Sequence, residues 1–228
     1  MENMTLQQAQ NVLAIFPEDD EHHTVRHSRD VLYVGQQIAG NHLTQALKCA
    51  LLLHDIGHFM KDDKENPVGH EKLARIFLEG QGIHEPEILL PVACHEANER
   101  LEEVCCEDTL FQKQSQKVKR EILWNCRIVC EADVISHMRE ILIEAHLNDE
   151  YCSRHFLNLL ESEQLPAPDA AVCQNDRMLY LLCGLSLIHL QESIAYLKKE
   201  KLVQQMVSRL PNRYRSHVSE IIHVKYGL

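Results

Sequence analysis

Apolar residues along the chain recur at three- and four-residue spacings, the signature of amphipathic helices, and the alternation expected of strands is scarce. Thr5 and Gln8 form the two ends of a capping box that opens a short helix through Leu6, Ala9, Val12 and Leu13, stopped by Pro17. A second helix is predicted from about 21 to 39, with Val31, Val34 and Ile38 on one face and Gly40-Asn41 at its end. A third starts near Leu43 and runs through Leu47, Ala50 and Leu51 to His54, where Gly57 breaks it. The charged stretch MKDDKENPVG, 60–69, reads as a loop. A helix from His70 to Glu79 ends at Gly80-Gln81-Gly82, and Pro86 suits the first turn of the next. There Ile88, Leu89 and Val92 lead to His95, while Pro91 implies a kink or a later start. Polar residues 98–108 read as a loop, and from about Phe111 a long segment carries Ile122, Leu123, Ile128, Val129 and Val134 at helical spacing. SEQLPAPD, 162–169, is the best linker, and the chain is helical again from Ala170. The pattern predicts an all-α protein: a helical domain over 1–160 and a helical extension over 170–228 packed on it.

A chain of 228 residues, 45% apolar and 25% charged, can bury a substantial core. Its net charge of −11 and lack of Lys/Arg blocks argue against general nucleic-acid binding, though a local cation could still draw in an anionic small molecule. The start, MENMTLQQAQ, is polar and unlike a signal peptide, and the apolar run from Met178 to Leu190 is shorter than the ~20 residues a bilayer demands. It reads as a buried helix. Nine cysteines without a repeating spacing read as reduced thiols used mostly as small apolar filler. A cytoplasmic protein with no membrane association is the expectation.

Fifteen histidines change the picture, because histidine is the commonest metal ligand. The stretch ALLLHDIGHF, 50–59, drives an apolar helix into a His54-Asp55 pair. Adjacent helical residues point about 100° apart, so both can face one ion only if the backbone turns at the helix end. Two ligands are not a site. Further candidates are histidines ending or facing apolar stripes (His22, His23, His27, His42, His70, His84, His95 and His137) and Asp133, an aspartate among Ile128, Val129, Val134 and Ile135 that is costly to bury unpaired.

In order, H-S-x-x-V from His27, the doublet after ALLL and before IGH, G-H-E at His70, His95 after an apolar run and E-A-D-V around Asp133 resemble the HD superfamily over about 22–140. The resemblance implies an HD-domain helical bundle with extra C-terminal helices. It implies a minimal metal set of His27, His54, Asp55 and Asp133, with His70 and His95 at the positions that binuclear members use for a second ion. One or two divalent ions (Fe, Mn, Ni, Zn or Mg) are the expected cofactors. The implied activity is hydrolysis of a phosphate ester, a nucleotide or another small phosphorylated metabolite, by metal-activated water. Two ions about 3.5–4 Å apart would clamp the reacting oxygens, with Asp55 bridging them and orienting the nucleophile.

Many such phosphohydrolases read HD-x-G-K, whereas this chain has His58 in the lysine's place. His58 is therefore a second catalytic candidate, donating to a phosphate oxygen or protonating the leaving group. Lys61, Lys72, Arg75 and Arg100 are the candidates for binding substrate. No GYP tripeptide follows the doublet, and the longer signature of deoxynucleotide triphosphohydrolases is missing. Di-iron oxygenases of the HD type, which act on a phosphonate or polyol, use the same six ligands and are the alternative. A non-catalytic HD regulatory module is the second. Residues beyond about 146 have three open roles: covering the site, forming a homodimer or binding an effector.

Overall fold

A computed structural model describes residues 4–16, 25–60, 68–144, 184–210 and 212–228. Its described residues are helical, with no strand among them. They fall into two compact units, 1–133 and 134–228.

In the first unit, α1 (Leu6–Leu13) is opened by the expected reciprocal capping of Thr5 and Gln8. The Met4 N–H donates to Glu85 Oε1 at 2.8 Å, tying this end to the start of a later helix. α2 (Val25–Ala39) buries His27, Ser28, Val31, Val34 and Ile38, a stripe that includes the predicted apolar face. α3 (Gln45–Leu53) starts later than Leu43 because the Thr44 side chain accepts from the Leu47 N–H and caps it. Leu47, Cys49, Ala50, Leu51, Leu52 and Leu53 are all buried on it. With six of its nine residues buried, α3 lies centrally and packs against α1, α2 and α5 (Pro86–Cys94). Truncating Leu51 or Leu52 to alanine should cost about 2–5 kcal/mol.

α5 begins at Pro86, so Pro91 delays nothing and lies inside the helix. α4 (His70–Gly80) precedes it and packs on both α5 and the 3-10 turn Ile56–Phe59.

The predicted loop 98–108 is instead mostly helix: a turn at Asn98–Arg100 leads into α6 (Leu101–Glu107). Leu101 and Cys105, four residues apart, are buried there against Leu90, Cys94, Phe111, Ile122, Cys126 and Cys130. The surrounding glutamates mask this two-residue stripe in the sequence. A short α7 (Thr109–Gln112) holds Phe111, and the long helix α8 (Gln116–Glu144) starts after it rather than at Phe111.

In the second unit, α9 (Gln191–Lys199), α10 (Leu202–Ser208) and α11 (Asn212–Tyr226) follow one another. Tyr196, Leu197, Leu202, Val203, Met206, Val218 and Ile222 are buried, and Arg139 Nη1 donates to Tyr196 Oη at 3.0 Å. The apolar run 178–190 enters the described residues only at 184; from Ser186 to Leu190 it is turn and irregular chain, not the helix its composition predicts. The linker at 162–169 and the boundary between 160 and 170 lie outside the described residues. No described helix is long and apolar enough to cross a membrane.

Candidate metal centre

Two helices end in histidines, and both ends are built alike. His54 caps the C-terminus of α3, and its Nδ1 lies 3.0 Å from the carbonyl oxygen of Leu51. His95 caps α5, and its Nδ1 lies 2.8 Å from the carbonyl oxygen of Val92. A helix leaves its last carbonyls without partners, and an imidazole folded back onto one of them satisfies it. A carbonyl only accepts, so the proton of each neutral ring sits on Nδ1 and the Nε2 lone pair is left to face the other way. Both Nε2 atoms face Asp55.

The backbone leaves the helix at Asp55, whose ψ of 6° begins the turn into Ile56–Phe59. The carboxylate then divides its oxygens between two histidine pairs. Oδ2 lies 3.3 Å from His54 Nε2 and 3.7 Å from His27 Nε2. Oδ1 lies 3.3 Å from His95 Nε2 and 3.5 Å from His70 Nε2. On the Oδ2 side, Asp133 Oδ1 is 2.9 Å from His27 Nε2 and 3.6 Å from His54 Nε2. The six residues thus form two donor sets sharing one carboxylate: His27, His54, Asp55 and Asp133, and Asp55, His70 and His95.

Each contributor is set by its element. His27 comes from the first turn of α2, and Asp133 from the middle of α8. His70 is the first residue of α4, and Gly57 brings that helix to the doublet. A Cβ on Gly57 would lie 1.8 Å from the His70 carbonyl oxygen and 2.9 Å from the Ala74 nitrogen, so only glycine permits the contact. The sequence assigns Gly57 to breaking the helix; its structural use is close approach, since the chain has already left the helix two residues earlier. His58, further along the turn, stacks on His70 with ring centroids 3.7 Å apart, its Nε2 3.8 Å from Asp55 Oδ1.

The cluster is mostly buried. His27, His54, Asp55 and His95 are buried, while the side chains of His70, Asp133 and His58 are 14%, 19% and 27% exposed, so solvent reaches the site at these three. Burial alone would push the His54 imidazole down, but the facing carboxylates of Asp55 and Asp133 outweigh it and hold it well above the ordinary histidine range. His70 is likewise lowered by burial and raised on balance by Asp55, Glu96 and Glu71.

These residues fit a divalent ion. His54 Nε2 is fully buried and has no hydrogen-bond partner, yet it faces two carboxylate oxygens. A lone pair aimed at carboxylates repels them unless a cation lies among the three: a proton, as the raised His54 value reflects, or a divalent ion in its place. His70 Nε2 and His95 Nε2 stand 3.1 Å apart, and with the His95 proton on Nδ1 it is His70 that donates; a divalent ion would take that proton's place between them. Imidazole and carboxylate donors suit Fe, Mn, Ni and Zn.

The structure describes three of the four substrate-binding candidates, Lys72, Arg75 and Arg100. Lys61 lies outside the described residues, as do His22 and His23. Lys72 is exposed on α4. Arg75 is spent structurally: Nη1 pairs with Asp108 and Nε donates to Glu79 at 3.0 Å. Arg100 is exposed and donates to Glu103 at 3.0 Å. His42 and His84 are exposed, and His137 Nδ1 lies 3.5 Å from Glu140 Oε2. Two residues that sequence reasoning did not nominate stand beside His70: Glu71 Oε2, 3.8 Å from its Nδ1, and Glu96 Oε1, 3.7 Å from its Nε2. Their only signal is adjacency to His70 and His95 in the chain.

A helical scaffold that turns two histidine pairs onto one aspartate has the donor set of a divalent-metal protein. The HD domain matches residues 24–138, just over half of the 228-residue chain and a span containing all six donors, and the chain belongs to the HD-domain family. No curated protein and no solved structure matches the chain.

Proposed function

We propose that this chain is a metal-dependent phosphohydrolase acting on a small phosphate ester, a nucleotide or another phosphorylated metabolite. The observation that carries the reading is the divided Asp55 carboxylate, with Oδ2 toward His27 and His54 and Oδ1 toward His70 and His95. One carboxylate serving two donor sets suits a pair of ions. When bound, divalent ions supply Lewis acidity toward a phosphoryl oxygen and lower the pKa of water.

The chain's own residues do the rest. Asp55 is held at the floor by the α3 end and by the contact of Gly57 with His70, so it can orient an attacking water. His54 and His95 keep their Nδ1 protons on backbone carbonyls and therefore cannot rotate away. His58, the most exposed imidazole of the group, lies 3.8 Å from Asp55 Oδ1 and would be the residue to protonate a leaving oxygen.

A second reading has its own support. His58 replaces the lysine of HD-x-G-K, and Arg75 and Arg100 are engaged with carboxylates, which weakens the cationic grip on phosphate and favours an HD-type di-iron oxygenase acting on a phosphonate or polyol. A non-catalytic module has less in its favour, since the donor set is complete. The test is release of phosphate from a panel of esters by protein loaded with Mn, Ni or Mg. A silent panel sinks the hydrolase reading, and oxygen uptake by the iron-loaded protein on adding a phosphonate or polyol supports the oxygenase.

A further inference from the structure

The two donor sets are unequal. The first offers two imidazoles and two carboxylates, Asp55 Oδ2 and Asp133 Oδ1, and of these only Asp133 is partly exposed. The second offers two imidazoles and only the shared Asp55 Oδ1. An ion there would have fewer protein donors and less compensating negative charge, so it should bind more weakly.

One further carboxylate lies on its open side. Glu96 follows His95 directly, so the helix end that orients His95 also places it. Its Oε1 is 3.7 Å from His70 Nε2, the ring atom that faces Asp55 and His95, and the side chain is 60% exposed. Glu71 is different. Its carboxylate lies 3.8 Å from Nδ1, the ring nitrogen that does not face Asp55 and His95, where it can hold the tautomer.

We propose that Glu96 is the fourth protein ligand of the second metal position and sets the affinity of that ion alone, making the two positions alike in charge. This rests on reading the cluster as a divalent-metal centre. Glu96 then determines whether the site works with one ion or two at a given metal concentration.

The test is Mn titration of metal-free protein, following free Mn by electron paramagnetic resonance and bound metal by elemental analysis after dialysis. Wild type should take up two ions with separable affinities. Glu96→Gln should weaken the second by about tenfold or more and leave the first unchanged. Glu71→Gln should change the second by less than Glu96→Gln does. The proposal is overturned if wild type binds one ion, if Glu96→Gln leaves the second affinity unchanged, or if both glutamine variants weaken it equally, which would mean diffuse charge rather than ligation. Metal uptake is the readout, so a silent phosphate-ester panel would sink the hydrolase reading and leave this one standing.

Discussion

His54 and His95 meet edge to face, ring centroids 5.1 Å apart at 90°, and each turns its Nδ1 onto the carbonyl three residues back in its own helix. Two helix ends thereby present the same atom, Nε2, to opposite oxygens of Asp55. The shared aspartate makes the consequences of substitution unequal. Asp55→Ala should abolish binding of both ions, whereas Asp133→Ala should cost the first and His95→Ala the second. Elemental analysis after dialysis reads this directly. Unchanged metal content in Asp133→Ala would refute its assignment as a ligand.

Gly57 should be intolerant of even one methyl group. A Cβ there meets backbone rather than a movable side chain, so the start of α4 must shift. Gly57→Ala should lose about 1–3 kcal/mol of stability and part of the second ion's affinity, because His70 is the residue displaced. Denaturant unfolding and metal titration check the two effects, and a variant as stable as wild type would contradict the contact.

Protons and metal compete for the same Nε2 atoms. The folded values of His54 and His70 are raised above the ordinary histidine value near 6.5, so in metal-free protein their contribution to stability is full below that value and is lost as pH rises through the folded ones. Metal-free protein should therefore melt lower on moving from mildly acidic to mildly alkaline buffer. Divalent ions should bind more tightly over the same interval and release protons. Calorimetry in buffers of different ionisation enthalpy would show that release, and metal affinity independent of pH would count against imidazole ligation.

Arg75 should prove structural. It spans from α4 to Asp108, which also accepts the Leu110 N–H, and neither residue is fully exposed. Arg75→Ala should cost about 1–2 kcal/mol, between an exposed and a buried pair, with KM for substrate unchanged. A raised KM at unchanged melting temperature would restore it to the substrate site.

Among the described cysteines, Cys106 is exposed and the others are buried. Burial pushes the Cys49 thiol up to about 11, and Cys126 and Cys130 are raised by the same cause. An alkylating reagent at neutral pH should label Cys106 in the native protein and the buried thiols only after unfolding, a difference that peptide mass mapping resolves.

The sequence by itself determined the helices with strong apolar stripes, the capping box at Thr5, the HD-domain family and the six residues that converge on the site. Periodicity and local capping act within a few residues, so they survive in a linear reading. It misplaced what depends on packing between distant segments. Leu101 and Cys105 are a helix only because a core cluster covers them, and Gly57 is a contact surface only because α4 arrives there. Nor does the sequence show that Arg75, a candidate for substrate, pairs with Asp108, because a charge's partner is invisible until the fold brings it near. Tertiary structure alone decided which oxygen of Asp55 faces which histidine pair, and that Glu96 stands at the open side of the second. Those are distances between α2, α3, α4, α5 and α8, and spacing along the chain carries no record of them.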